Sequence, residues 1–230
     1  YTKTKGVEHI AISTNGSAPL WFYKKLIENG VNDFSISLDA CCSSVGETMT
    51  GGIKNAWEKV VKNIEALSKL TYVTVGVVFT ETNIPEAIET VKFAHSLGVA
   101  DIRVISAAQV GMALTSLLNI PEEILKAHPI LEYRIRNFRE GKDVRGIKIE
   151  DTGKCFLVQD DMAVAGGFHF PCIIYLREGG APIGKVGCGM RADRVKWFEK
   201  HNSHLDPICS KSCLDVCTDF NNRARDFLKR

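Results

Sequence analysis

Eight cysteines are the residues of this sequence whose type and placement carry the most chemistry. Two of them, Cys41 and Cys42, are adjacent and stand in the first half of the chain. The other six fall in its last third: Cys155, Cys172, Cys188, Cys209, Cys213 and Cys217. In a reducing cytosol, thiols clustered in this way are more often metal ligands than disulfides. The sequence therefore predicts a thiolate-ligated metal site in the last third of the chain.

The first motif of this cluster is C-x11-G-x4-C, which runs from Cys155 through Gly167 to Cys172. Residues 162–165 and 168–171 are typical of two short strands on either side of a glycine turn. A hairpin at this place would bring Cys155 and Cys172 close enough to share a metal site.

The second motif is C-x3-C-x3-C, formed by Cys209, Cys213 and Cys217 ahead of a predicted polar helix over 218–230. Spacings of three or four residues place side chains on one face of a helical turn. Two or three of these thiolates can then converge on one site with the pair from the first motif.

Soft thiolate ligands suit iron–sulfur clusters, zinc or copper(I). Zinc sites usually use tighter C-x2-C knuckles, and this sequence has none, so the spacing favours an iron–sulfur cluster over zinc. Unligated thiols are the third alternative. Cys188, between two glycines, is a candidate spare ligand, whereas Cys41 and Cys42 are interpreted as packed or incidental thiols. His201 and His204 lie near the cysteines, but a solvated loop is the favoured interpretation for both.

The first half of the sequence alternates between strand and helix periodicity. The predicted strands are residues 7–13, 34–38, 72–79 and 101–106. The predicted helices between them are residues 18–29, 54–69 and 84–97, and residues 40–52 are predicted to form a loop. This order indicates parallel βαβ units whose strands are consecutive neighbours in one sheet.

Polar residues follow the C-terminal ends of all four predicted strands. They are residues 14–16, Ser37 and Asp39, residues 80–83, and residues 106–109. In parallel barrels and open sheets, ligands bind at this edge. The alternative is that these residues only form turns.

The character of the chain changes after the sheet. Residues 110–140 have a helical pattern, 141–153 resemble a linker, and short strands, glycines and cysteines follow. We therefore predict a boundary near residue 145, with one domain over 1–145 and a small cysteine-rich α+β domain over 146–230.

Composition excludes several classes of function. A hydrophobic share of 45% and a charged share of 24% are those of an ordinary globular protein. The net charge of +2 favours neither nucleic acid nor an anionic membrane as a partner. Because no apolar run is long enough to span a membrane and no export signal is evident, the cytoplasm is the expected location.

Four segments in order give the first half of the chain its family resemblance. Residues 12–16 end in Thr-Asn-Gly, 35–39 contain Ser-Leu-Asp, 57–67 carry W-x-x-V-x-x-N-I-x-x-L, and 80–83 read Thr-Glu-Thr-Asn. With C-x11-G-x4-C after them, these segments resemble the third to fifth barrel strands of radical S-adenosylmethionine enzymes with a SPASM/twitch-type auxiliary-cluster domain.

The resemblance implies an α/β fold, with strands 3–6 of a (β/α)6 radical SAM barrel followed by the auxiliary-cluster domain. It implies that Ser37 and Asp39 bind S-adenosylmethionine and that Asn15 and Asn83 line the same edge. It also implies an auxiliary 4Fe–4S cluster whose ligands are drawn from this set: Cys155, Cys172 and two of Cys209, Cys213 and Cys217. A peptide or small-molecule substrate and an electron donor such as flavodoxin or ferredoxin would be the partners.

Two family motifs are missing from this sequence. The C-x3-C-x2-C loop that holds the catalytic cluster and the Gly-Gly-Glu segment of the second strand do not occur. The chain is therefore expected to be the C-terminal part of a radical enzyme, either truncated or naturally split, with S-adenosylmethionine bound only together with the N-terminal part. A zinc-stapled binding module without redox chemistry and an inactive homologue remain as alternatives.

Overall fold

The computed structural model describes residues 1–106 and 115–229. It divides into two compact units, the sheet unit Tyr1–Gly141 and the cysteine-rich unit Lys142–Arg230. The predicted polar turn after the fourth strand and the start of the predicted helical region over 110–140 lie outside the described residues. No helix among the described residues is both long and apolar enough to cross a membrane.

The sheet unit is built on one parallel sheet. Its strands are β1 (Ala11–Thr14), β2 (Asp33–Ser37), β3 (Tyr72–Phe79) and β4 (Asp101–Ser106). All three pairings are parallel, and the spatial order is β1-β2-β3-β4. The prediction of consecutive parallel neighbours is therefore confirmed.

Helices connect and follow these strands. They are α1 (Leu20–Glu28), α2 (Ser43–Met49), α3 (Ala56–Ser68), α4 (Ala87–Ser96), α5 (Glu122–Ala127) and α6 (Pro129–Arg139). Short 3-10 turns cover Lys3–Lys5, Ile84–Glu86 and Thr115–Asn119. The predicted helices over 18–29 and 54–69 correspond to α1 and α3.

The two faces of the sheet differ in polarity. On β2, Phe34 and Ile36 are fully buried in the core with helix residues, whereas Ser37 on the opposite face is exposed. The register places Gly76 beside Ser37 and Arg103 beside Gly76, so the polar face extends across β3 and β4. A four-stranded parallel sheet with one apolar and one polar face is consistent with part of an α/β barrel.

The loop predicted over residues 40–52 contains helix α2, and this prediction was wrong. Its sequence is poor in strong helix formers, and a tertiary contact stabilises it instead. Gly46 packs directly on Trp57 of α3, so that a Cβ on Gly46 would lie 2.1 Å from Trp57 Cδ1. The Trp57 indole N–H in turn donates to the Ala40 carbonyl over 3.0 Å.

The cysteine-rich unit combines a small antiparallel sheet with short helices. Its strands are β5 (Ala163–Ala165), β6 (Phe168–Phe170) and β7 (Gly184–Lys185). Its helices are α7 (Ile173–Arg177), α8 (Met190–Lys200), α9 (Pro207–Ser212) and α10 (Asp215–Leu228), with a 3-10 turn over Phe156–Gln159. Strands β5 and β6 pair antiparallel, which confirms the predicted hairpin.

The cysteine-rich unit has little apolar core. Among its described residues, the buried hydrophobic side chains are Val158, Ala163 and Phe170. The main hydrophobic cluster lies within the sheet unit. A unit of this size with so few buried apolar groups needs another source of stability, such as bound metal.

Candidate metal centre

Five cysteines of the cysteine-rich unit line one cavity of about 30 Å³. They are Cys155, Cys172, Cys209, Cys213 and Cys217, the same set that the two sequence motifs single out. All five are half-buried free thiols, whereas Cys188 is exposed and lies outside the cavity lining. We call this group the five-cysteine site.

Local structure positions the two cysteines of the first motif. Cys155 immediately precedes the 3-10 turn Phe156–Gln159, and Cys172 is the N-cap residue of α7. The hairpin β5–β6 lies between them in the chain. The hairpin therefore returns the chain to the cavity, as the sequence predicted.

The second motif does not lie on a single helical turn, which corrects the prediction. Cys209 belongs to α9 and Cys217 to α10, and Cys213 has an extended backbone between them with φ −56° and ψ 134°. The backbone N–H of Gly146 donates to the Cys213 carbonyl over 2.9 Å, and Arg145 forms a β-bridge with Leu214. This pairing with a distant segment interrupts the helix between α9 and α10. The three thiols on either side of the interruption line the same cavity.

Burial shapes the acid–base chemistry of three of these thiols. It raises the pKa of Cys155 to about 11, and it also raises the pKa values of Cys172 and Cys209. A buried thiolate without a partner cation is unfavourable, so these thiols keep their protons until a metal replaces them. Metal binding at the five-cysteine site would therefore release protons and weaken at low pH.

A side-chain hydrogen bond links Cys213 and Cys217. The Cys217 thiol donates a hydrogen bond to Cys213, which lowers the pKa of Cys213 and raises the pKa of Cys217. The Thr218 hydroxyl donates a second hydrogen bond to Cys213 over 3.7 Å. Cys213 is thus the member of the site at which a thiolate is best stabilised by hydrogen bonding.

His201 belongs to the site, although the sequence favoured a solvated loop for it. Its Nε2 lies 3.4 Å from Cys209 Sγ, and its ring stacks on Trp197 with centroids 3.8 Å apart. Burial lowers the pKa of His201, which favours the neutral ring that can ligate a metal. Ligand atoms of His201, Asp206 and Cys209 all lie within 4.8 Å of one another.

Asp206 fixes the start of α9 and with it the position of Cys209. Its Oδ1 accepts hydrogen bonds from the backbone N–H groups of Ile208 and Cys209 at 2.9 and 2.8 Å. Its Oδ2 accepts from the Tyr175 hydroxyl over 3.0 Å. These contacts make Asp206 an N-cap residue that orients a thiol of the site.

Arg194 is a buried cation in the same unit, and sequence reasoning missed it. Its guanidinium donates to the carbonyls of Val158, Phe170 and Pro171 at distances of 2.7–3.1 Å and also to that of Asp161. These acceptors lie a few residues from Cys155 and Cys172 in the chain. Burial lowers the pKa of Arg194. An arginine in a polar helix carries no sequence signal that distinguishes this role.

The residues predicted to bind S-adenosylmethionine lie in the sheet unit. Asn15 and Ser37 are exposed at the C-terminal ends of β1 and β2. Asp39 Oδ1 accepts from the Val78 N–H over 2.7 Å, and burial raises the pKa of Asp39. Asn83 is buried, and its amide donates to the carbonyls of Asp39 and Val78. Asn83 thus has a structural role, and ligand contact by these four residues stays a prediction.

No family model and no curated protein matches the chain. Among solved structures, the chain is similar to the structure of TYW1 with a lysine–pyruvate adduct bound, with 19% identity and a TM-score of 0.39. The match covers 63% of this chain and 45% of that one, so the chain spans less than half the length of that relative.

Proposed function

We propose that the cysteine-rich unit holds an iron–sulfur cluster. The observation that carries this proposal is the convergence of five half-buried thiols from both sequence motifs on one cavity. Thiolates are the characteristic ligands of such clusters, and four of them complete a 4Fe–4S centre. The donor set of the five-cysteine site therefore fits the group.

The spacing of the sulfurs favours a cluster over a single zinc ion. Zinc–sulfur bonds of about 2.3 Å in a tetrahedron place two thiolate sulfurs about 3.8 Å apart. Among the described residues, no three thiols of the five-cysteine site lie within 4.8 Å of one another. In a cluster each thiolate binds a different iron atom, so its ligands are spread more widely.

The ligands would be Cys155, Cys172 and two of Cys209, Cys213 and Cys217. His201 and Asp206 stand beside Cys209 and would orient it, and Arg194 would place a positive charge near an anionic centre. The remaining cysteine of the second motif would hydrogen-bond a ligand, as Cys217 does to Cys213.

We further propose that this centre is auxiliary to a radical S-adenosylmethionine reaction. The cluster would pass an electron or anchor a substrate when bound. The order of the motifs and the polar C-terminal edge of the sheet support this role, with Asn15, Ser37, Asp39 and Asn83 near the cofactor. The C-x3-C-x2-C motif of the catalytic cluster is not among these residues, so the reaction itself would need that motif from elsewhere.

A zinc-stapled binding module is the second candidate, and the small core of the cysteine-rich unit favours it. Three buried apolar side chains, Val158, Ala163 and Phe170, leave this unit dependent on another cross-link. A zinc ion would supply one without redox chemistry.

Anaerobic reconstitution of the full chain with iron and sulfide distinguishes the two candidates. We expect about four iron atoms per chain and a sulfur-to-iron charge-transfer band in the visible spectrum. Stoichiometric zinc in the purified protein, with no colour after reconstitution, would contradict the cluster.

Single serine variants then identify the ligands. Cys155→Ser and Cys172→Ser should each reduce iron content and the visible band by more than half, whereas the exposed Cys188→Ser serves as the matched control and should change neither. A loss of the same size in the control variant would show that the assay reports general damage rather than ligation.

A further inference from the structure

A second thiol cluster lies in the sheet unit, away from the five-cysteine site in sequence. Cys41 Sγ lies 3.3 Å from Glu86 Oε2, and Cys42 Sγ lies 4.0 Å from the same oxygen. Ligand atoms of all three residues lie within 4.8 Å of one another, and all three residues are half-buried. The three side chains therefore point into one small volume.

These separations match those around a single tetrahedral ion. Bonds of about 2.3 Å from zinc to sulfur and about 2.0 Å from zinc to oxygen place a sulfur and an oxygen about 3.5 Å apart. The two Sγ–Oε2 distances, 3.3 and 4.0 Å, lie on either side of this value. Small side-chain movements would therefore bring the three groups onto one ion.

The backbone of this cluster is held in place by buried hydrogen bonds. Asn83 is fully buried, and its amide donates to the Asp39 carbonyl over 2.8 Å and to the Val78 carbonyl over 2.9 Å. These bonds tie the segment before Cys41 to the segment before Glu86. The two segments follow the C-terminal ends of β2 and β3, the edge at which parallel sheets bind ligands.

The charge of the cluster also suits a cation. Across the part of the chain that the structure describes, no lysine, arginine or histidine forms an ion pair with Glu86. The Ser44 hydroxyl lies 3.2 Å from Cys42 Sγ, where it can donate to a thiolate. Two thiolates and a carboxylate would carry three negative charges, which a divalent ion partly neutralises.

We propose that Cys41, Cys42 and Glu86 bind one thiophilic divalent metal ion of the zinc class. Three protein ligands leave the fourth tetrahedral position open for water or for a ligand at the sheet edge. Binding replaces the two thiol protons, which pass to the solvent. This site is independent of the five-cysteine site and would exist whichever metal that site holds.

The proposal is tested by comparing the zinc bound per chain in the unsubstituted protein and in a variant without the two cysteines. After equilibration with zinc and removal of the excess, the unsubstituted chain should hold one more zinc equivalent than the Cys41→Ser/Cys42→Ser double variant. Cys188→Ser is the matched control and should hold as much zinc as the unsubstituted chain. Equal zinc in the double variant and the unsubstituted chain overturns the proposal.

Cadmium NMR identifies the ligands of the bound ion directly, so its readout does not depend on how stably each variant folds. Cadmium bound to two thiolates and a carboxylate gives a signal distinct from that of a site with four thiolates. We expect this signal to be absent from the double variant, and Glu86→Gln should shift it and weaken binding about tenfold. A signal that Glu86→Gln leaves unmoved would overturn the assignment of Glu86.

Discussion

Arg194 carries its charge in the interior of the cysteine-rich unit, where its hydrogen bonds end mainly on backbone carbonyls. A guanidinium can serve several acceptors at once because its five N–H donors form a rigid fork. Here it joins the 3-10 turn after Cys155 to the end of β6, just before Cys172. It therefore ties together the two segments that carry the thiols of the first motif.

Arg194→Met should lower the free energy of unfolding by about 3–5 kcal/mol, because it leaves several buried carbonyls without donors. Arg194→Lys should recover only part of this loss, since an ammonium cannot reach the same acceptors together. Urea denaturation of both variants measures the difference. Arg191→Met, on an exposed position of the same helix, is the control. An Arg194→Met variant as stable as this control would contradict the role.

The raised pKa of Asp39 predicts the direction in which folding stability changes with pH. Burial raises its pKa above the ordinary 3.8, so the folded state binds its proton more tightly than the unfolded state. Stability is therefore lost as the pH rises from about 4 through the folded pKa. Asp39→Asn removes this titration and keeps an acceptor for the Val78 N–H.

We expect Asp39→Asn to be more stable than the unsubstituted chain at pH 7 and equal to it below pH of about 3. Thermal unfolding across this range measures the difference. Greater stability of the unsubstituted chain at pH 7 would mean that the ionised hydrogen bond to Val78 outweighs burial.

Helix α2 shows how a contact between elements decides what a short segment becomes. Its seven residues include Gly46 and have few strong helix formers, so periodicity alone favoured a loop. The absent side chain at Gly46 lets α2 lie against Trp57. Trp57 is held by its bond to Ala40 and by stacking on Phe93 with centroids 5.4 Å apart.

Gly46→Ala should destabilise the protein by about 1–3 kcal/mol, because the new methyl group would overlap an indole that cannot move away. At an exposed helical position the same change would stabilise by about 1 kcal/mol. Thr48→Ala, on the exposed side of α2, should stay within about 0.5 kcal/mol of the unsubstituted chain. Chemical denaturation measures both, and a stabilised Gly46→Ala would contradict the packing.

At the scale of the whole molecule, the two units differ in what stabilises them. The sheet unit contains the main hydrophobic cluster, whereas the cysteine-rich unit buries three apolar side chains among its described residues. A ligand that binds only the folded state contributes its binding free energy to folding. The cysteine-rich unit should therefore depend on its metal, and the sheet unit should not.

Hydrogen exchange before and after metal removal tests this difference. Chelation should raise exchange at least tenfold in α9 and α10, which carry Cys209 and Cys217, while β1 and β4, which lie next to neither proposed metal site in the chain, keep their protection. The strands serve as the internal control. Unchanged exchange in α9 and α10 after complete metal loss would contradict the dependence on metal.

Sequence alone determined the features that rest on local spacing. The period of the apolar residues and the order of the predicted strands indicated the parallel sheet. The glycine turn predicted the β5–β6 hairpin. The two cysteine motifs singled out the thiols that line one cavity. The period of each strand, the turn of the hairpin and the spacing within each cysteine motif involve residues within about one element of each other, where period and turn chemistry operate.

Only the tertiary structure decided the contacts between distant segments. Cys41 meets Glu86 across 45 positions, and Arg194 reaches the Val158 carbonyl across 36. The helix breaks at Cys213 because the Gly146 N–H donates to the Cys213 carbonyl and Arg145 forms a β-bridge with Leu214. Packing chooses such partners by shape and by hydrogen-bond satisfaction in three dimensions, and no spacing along the chain encodes them.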